Sequence, residues 1–172
     1  MASYFRFSES YGASPTIAPA PYLHFLSVDE DSGGDATTQI QAHPIVIPAS
    51  SYAYSYERAL RGEWWSGTFS TITSLNFWKQ SGTLTGTLKI KALKKASAPT
   101  VYQQVVTTAS TIIGVGGNEA NTTNDIPTAT GTIQPAYAST FSDYIYMQLV
   151  VPAGSASGSI GTMTYRMGWN ET

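Results

Sequence analysis

The sequence predicts an all-β protein: an antiparallel β-sandwich or jelly-roll-like single domain behind an extended N-terminal arm. Three observations carry this. Ser, Thr, Gly and aromatic residues are plentiful while only 12% of residues are charged, about half of the usual ~25%. Apolar residues recur with period two in several stretches, the spacing of half-buried strands. Long amphipathic helical stretches rich in Glu, Lys, Leu and Ala are missing, and 172 residues suit one hydrophobic core.

Residues 1–36 read as an arm and loop. Pro15, Pro19 and Pro21 each remove a backbone donor and bias the preceding residue toward extended geometry, and the acidic turn from Asp29 to Asp35 follows. A short strand is expected at Tyr22–Val28. Residues 37–172 read as the β domain. Its first members are an edge strand through Ile40, Ile45, Val46 and Ile47, broken by Pro44 and closed by Pro48, and a strand at Tyr52–Tyr56 with alternating tyrosines. A short helical turn is expected to fit only between Tyr56 and Trp65. Trp64–Trp78 reads as a core strand, with Phe69, Leu75 and Phe77 on one parity and Ile72 and Trp78 on the other. Leu88, Ile90 and Ala92 alternate with Thr87, Lys89 and Lys91, giving a strand with one wet face.

Val101–Val106 and Ser110–Val115 are further short runs, and the polar stretch Gly116–Asp125 is expected to be a solvated loop. The clearest strand is Asp143–Val151, where Ile145, Met147, Leu149 and Val151 face one way and Tyr144, Tyr146 and Gln148 the other. Ser159–Trp169 then puts Met163, Tyr165, Met167 and Trp169 on one face, and an antiparallel hairpin is expected between the two. Ile145, Met147, Leu149 and Phe77 are the expected core.

The charge balance, −2, gives no global field for nucleic acid or an anionic membrane. The absence of cysteine removes disulfides, thiolate nucleophiles and sulfur-ligated metals. Met1–Ser10 has no basic start followed by an apolar run, so no secretory signal is expected, and no stretch reaches the length of a membrane span.

No pattern of catalytic chemistry survives comparison with its plainer reading, so no enzyme, cofactor or metal is expected. Asp29, Asp31 and Asp35 resemble a calcium loop, but Gly33 stands at its fifth position and Ile40 at its twelfth, which leaves a solvated turn. Gly114, Gly116 and Gly117 lack the third glycine of a dinucleotide fingerprint, because Glu119 stands there. His24 and His43 have no triad partners in pattern. Glu57, Glu63 and Asp143 are the acids within strand patterns and read as structural charges, although two converging carboxylates would suit glycoside hydrolysis. Lys89, Lys91, Lys94 and Lys95 form the one basic cluster, which reads as protection of a strand edge rather than a phosphate contact. Tyr52, Tyr54, Trp64, Trp65, Tyr144 and Tyr146 could stack on sugar rings, with core packing as the plainer account. Asn121-Thr122-Thr123 and Asn170-Glu171-Thr172 match glycosylation sequons, read as coincidental without a secretory signal.

The Trp64–Trp78 segment with its continuation LNFWKQSGTLTGTLKI, and the closing pair DYIYMQLVV and GTMTYRMGWNET, resemble in style the accessory virion proteins of tailed bacteriophages and similar prokaryotic viruses. These are small cysteine-free β domains rich in Ser, Thr, Ala and Gly. The resemblance implies a capsid decoration, minor capsid or tail-associated protein, made in the host cytoplasm and placed in the virion. Its expected partners are major capsid or tail proteins and copies of itself, with no catalytic residue implied. Tyr4, Phe5 and Phe7 are then expected as apolar anchors by which the arm docks on another chain. A carbohydrate-binding, receptor-binding β-sandwich module, whose partner would be a glycan, is the alternative.

Overall fold

The computed structural model describes residues 4–11, 16–28, 41–66, 71–95, 118–119, 126–127, 140–158 and 161–171. The expected class is correct: antiparallel sheets pack against each other as in a β-sandwich. The larger sheet runs β2 (Thr16–Pro19), β1 (Tyr4–Tyr11), β4 (Arg58–Ser66), β10 (Tyr144–Pro152), β6 (Lys89–Lys95), β7 (Asn118–Glu119). Two short strands join it, β3 (Tyr52–Tyr54) on β10 and β9 (Thr140–Phe141) on β4. The smaller sheet runs β11 (Met163–Glu171), β5 (Ile72–Gly82), β8 (Ile126–Pro127).

The expected core is correct. Phe77, Ile145, Met147 and Leu149 are all buried between the sheets together with Trp64, Ile72, Leu75 and Ile90. The inward face read for the last strand also holds: Met167 is in the core, and Met163, Tyr165 and Trp169 pack against it. The sheets approach closely at Gly62, where a Cβ would stand 2.6 Å from Met167 Sδ and 2.8 Å from the Phe5 ring, so a side chain there must displace both. The rings of Phe5 and Trp169 lie 4.8 Å apart across this gap, and those of Trp64 and Trp169 5.3 Å apart.

The arm is corrected over its first part. Tyr4–Tyr11 is a strand of the domain, antiparallel to β4 from Tyr4↔Ser66 to Ser10↔Ala59 and to β2 on its other side. Phe5, Phe7 and Glu9 share the inward face with their partners Trp64, Gly62 and Leu60, so the alternation that looked like loose anchors is a core face. The physical cause is that the strand itself holds no proline, and Pro19, opposite Ser8, ends the outermost strand described on that side.

Other expectations change for identifiable reasons. No strand forms at Tyr22–Val28; residues 20–28 form an extended strap instead, next to Pro19 and Pro21, which have no N–H to give a ladder. Ile45 and Ile47 turn inward and Val46 outward, 73% exposed, but Pro44 and Pro48 keep this stretch out of the sheets as well. The helical turn expected between Tyr56 and Trp65 is replaced by β4. Trp64 and Trp78 belong to different strands in different sheets. In β5 the parity reading fails at Ser74, which has a φ of 54°. There the step from Asn76 to Thr73 faces the shorter step from Gly168 to Asn170 on β11, and this bulge lets Ile72 point inward with Leu75 and Phe77.

β10 and β11 do not form a hairpin. β10 is taken on both edges, by β6 on one and by β4 and β3 on the other, so β11 crosses to the second sheet and pairs with β5. Both faces of β10 are buried, Tyr144, Tyr146 and Gln148 included, although its alternation predicts one wet face. β6 keeps its expected alternation, with Leu88, Ile90 and Ala92 buried. It is an inner strand where Lys91 partners Glu119 and Ala92 partners Asn118, so part of the expected polar loop pairs as β7. The runs at 101–106 and 110–115 lie outside the described residues.

Candidate functional site

Two features of the described surface and interior hold chemistry: a seam of charged side chains along β1 and β4, and a few exposed aromatic and aliphatic residues. The seam has two parts on opposite faces of the sheet. On the outer face Arg6 partners Glu63 across the ladder, and its guanidinium donates from Nε to Oε2 at 2.7 Å and from Nη2 to Oε1 at 2.9 Å. Ser8 Oγ donates to the same carboxylate. Glu63 thus accepts three hydrogen bonds, and those from Arg6 raise the guanidinium's proton affinity further.

On the inner face, at one end of the core, Arg58 Nη1 meets Glu9 Oε1 at 3.3 Å, with both side chains 1% exposed. Arg58 Nη2 also donates to the Val28 carbonyl at 3.3 Å, which ties the strap to the sheet. This pair was not among the residues expected from sequence. Its signal was there: Glu9 follows Phe5 and Phe7, and Arg58 precedes Leu60, on parities otherwise apolar. Opposite charges on apolar parities of two strands are the pattern of a buried pair. Nearby, Ser55 and Gln148 bind across the sheet, Gln148 Nε2 donating to the Ser55 carbonyl at 2.9 Å and Leu149 N to Ser55 Oγ at 2.9 Å.

The aromatic candidates separate. Trp64, Tyr144 and Tyr146 are buried, while Tyr52 is 52% exposed with its ring 6.4 Å from that of Tyr54. Burial, then the neighbouring Tyr52, raises the Tyr54 phenol above its ordinary range. The Tyr144 ring is engaged on the outer face, where the Arg61 guanidinium lies 3.4 Å from the Phe141 ring centre and 5.0 Å from that of Tyr144. Of the expected anchors, Phe5 and Phe7 pack inward and only Tyr4, 61% exposed, is open. Ile17 on β2, opposite Ser10 toward the other end of β1, is 48% exposed. The turn with Asp29, Asp31 and Asp35 and the glycines 114, 116 and 117 lie outside the described residues.

Among the described residues no group of three or more His, Cys, Asp or Glu is placed to hold a metal, and no helix is long and apolar enough to cross a membrane. Comparison with protein-family models, with curated proteins and with solved structures finds no match.

Proposed function

We propose that this chain is a virion structural protein of the capsid decoration, minor capsid or tail-associated kind, which stabilises a particle through protein–protein contacts. The observation that carries the reading is the edge of the larger sheet, where β2 is the outermost strand among the described residues. Ile17 on β2 and Tyr4 at the far end of β1 are exposed along it, on a chain with few charges. Exposed apolar side chains beside free strand backbone form a surface suited to another chain, and depletion of charge is the compositional mark of interface cores. The docking element is then the β1–β2 edge rather than a free arm. Its partners are major capsid or tail proteins and copies of itself, met in the host cytoplasm during assembly.

Quantitative mass spectrometry of purified particles tests this. Tens to hundreds of copies per particle, falling sharply in the double variant Tyr4→Ser/Ile17→Ser, are expected. Absence of the chain from particles would overturn the proposal. A glycan-binding module is the second reading, and Tyr52 beside Tyr54 is the observation that favours it. Binding of the isolated protein to a glycan array, lost in Tyr52→Ala, would decide for it.

A further inference from the structure

The strap 20–28 is a separate layer of the fold. It contributes Leu23 and Phe25 to the core's margin and buries Leu26 completely, yet no ladder holds it. Among the described residues its backbone is tied by Ala20 N to the Phe7 carbonyl at 2.8 Å, Ser27 N to the His43 carbonyl at 3.1 Å and Tyr56 N to the Leu26 carbonyl at 3.0 Å. Arg58 adds a bond to the Val28 carbonyl. A segment with apolar side chains below it and isolated hydrogen bonds along it is the kind that opens locally while the sheets stay closed.

His24 sits in the middle of this strap. Its ring stacks on Tyr22 at 6.4 Å with an interplanar angle of 21°. Its Nε2 is buried and meets no hydrogen-bond partner among the described residues. The Arg58 guanidinium, which donates to the Val28 carbonyl farther along the strap, acts on it as a positive charge. Among the described residues, the groups set against the ring are Tyr22, stacked on it, and Arg58 from β4. His43 stands on the segment bonded to Ser27. Arg58 itself is paired with Glu9.

We propose that His24 makes the strap an acid-sensitive clasp: protonating its ring puts a cation with a buried, unaccepted N–H beside Arg58 and releases residues 20–28 from the sandwich. A neutral imidazole is tolerated there, whereas in a charged one the buried Nε2–H is satisfied by water only when the strap lifts. Desolvation, and then the Arg58 charge, lowers the affinity of His24 for its proton in the closed state. The open state binds the proton better, so closure is complete above the ordinary histidine range and weakens as pH falls through and below about 6.5. Opening uncovers Leu23, Phe25 and Leu26, an apolar strip that is hidden at neutral pH.

Hydrogen–deuterium exchange of the full chain at pH 7.5, 6.0 and 5.0, expressed as protection factors, reads this directly. Protection over residues 20–28 is expected to be lost on acidification while peptides from β10 keep theirs, and His24→Gln is expected to retain strap protection throughout. Strap protection that is constant with pH, or lost equally in His24→Gln, would overturn the proposal. Should the variant fail to fold, an NMR titration of the wild-type His24 ring decides. A ring that titrates below a free histidine supports the clasp, and one that titrates at or above it refutes the clasp.

Discussion

The space between the two sheets and the inner end of the seam along β1 and β4 are equally dry, but they are stabilised in different ways. Between the sheets, Trp64, Phe77, Met147 and Leu149 fill the gap with apolar volume, and the stabilisation scales with the area removed from water. At the seam's inner end, Glu9 and Arg58 are as buried as any core leucine, and each is tolerated only because the other is present. Removing part of the core therefore leaves a cavity, whereas removing half of the seam leaves a charge. The outer part of the seam differs again: Arg6 keeps 41% of its side chain exposed, so its pair with Glu63 is open to water on one side.

The largest effect is expected on removal of β1, which belongs to both regions. Deleting Met1–Tyr11 takes Phe5 and Phe7 from the core and Glu9 from Arg58, and it bares the edge of β4. Loss of the cooperative thermal transition is expected; a truncated domain with an unchanged melting temperature would mean that these residues act as an arm after all.

Next comes the seam itself. Arg58→Ala should cost about 3–5 kcal/mol in urea unfolding, because Glu9 is left buried and unpaired. The double variant Glu9→Leu/Arg58→Met should recover most of that loss, since an apolar pair of similar volume carries no desolvation penalty. A double variant no better than the single one would show that the strap's bond to Arg58 matters more than the charge pair. In the core, Leu149→Ala should cost about 2–5 kcal/mol, graded by how far the site collapses. Gly62→Ala should cost about 1–3 kcal/mol, since Met167 and Phe5 must both shift; a neutral result would mean that the two sheets are free to separate slightly there.

The smallest effect is expected at the core's margin. The Tyr165 ring stacks on Phe77 at 5.2 Å, and burial pushes its phenol above the ordinary tyrosine range. The folded state thus holds that proton more tightly than the unfolded one, so the associated stability is present below about pH 10 and is lost as pH rises beyond it. Tyr165→Phe should be within about 0.5 kcal/mol of the parent at pH 7 and should flatten the alkaline slope of the melting temperature. An unaltered slope would assign the alkaline loss to other groups.

Much of the fold was legible in the sequence because amphipathic alternation is a local property. Ile145, Met147, Leu149 and Val151 declare a strand and its core face without reference to any partner, as do Leu88, Ile90 and Ala92, and Met163, Tyr165 and Met167. The seam was half legible: the parity of Glu9 among Phe5 and Phe7 marks it as inward, but nothing local names Arg58, 49 positions away, as its partner. The same holds for Arg6 and Glu63, separated by 57 positions. Composition and local alternation are enough for the β class, the facing of the strongest strands and the lack of any cysteine chemistry. Tertiary structure alone decided that Tyr4–Tyr11 joins the sheet, that β11 pairs with β5 instead of β10, that Ser74 bulges, and that both faces of β10 are covered. Each of these is a competition between remote strand edges and faces for burial and hydrogen bonds, and period-two patterning is silent about which remote partner wins.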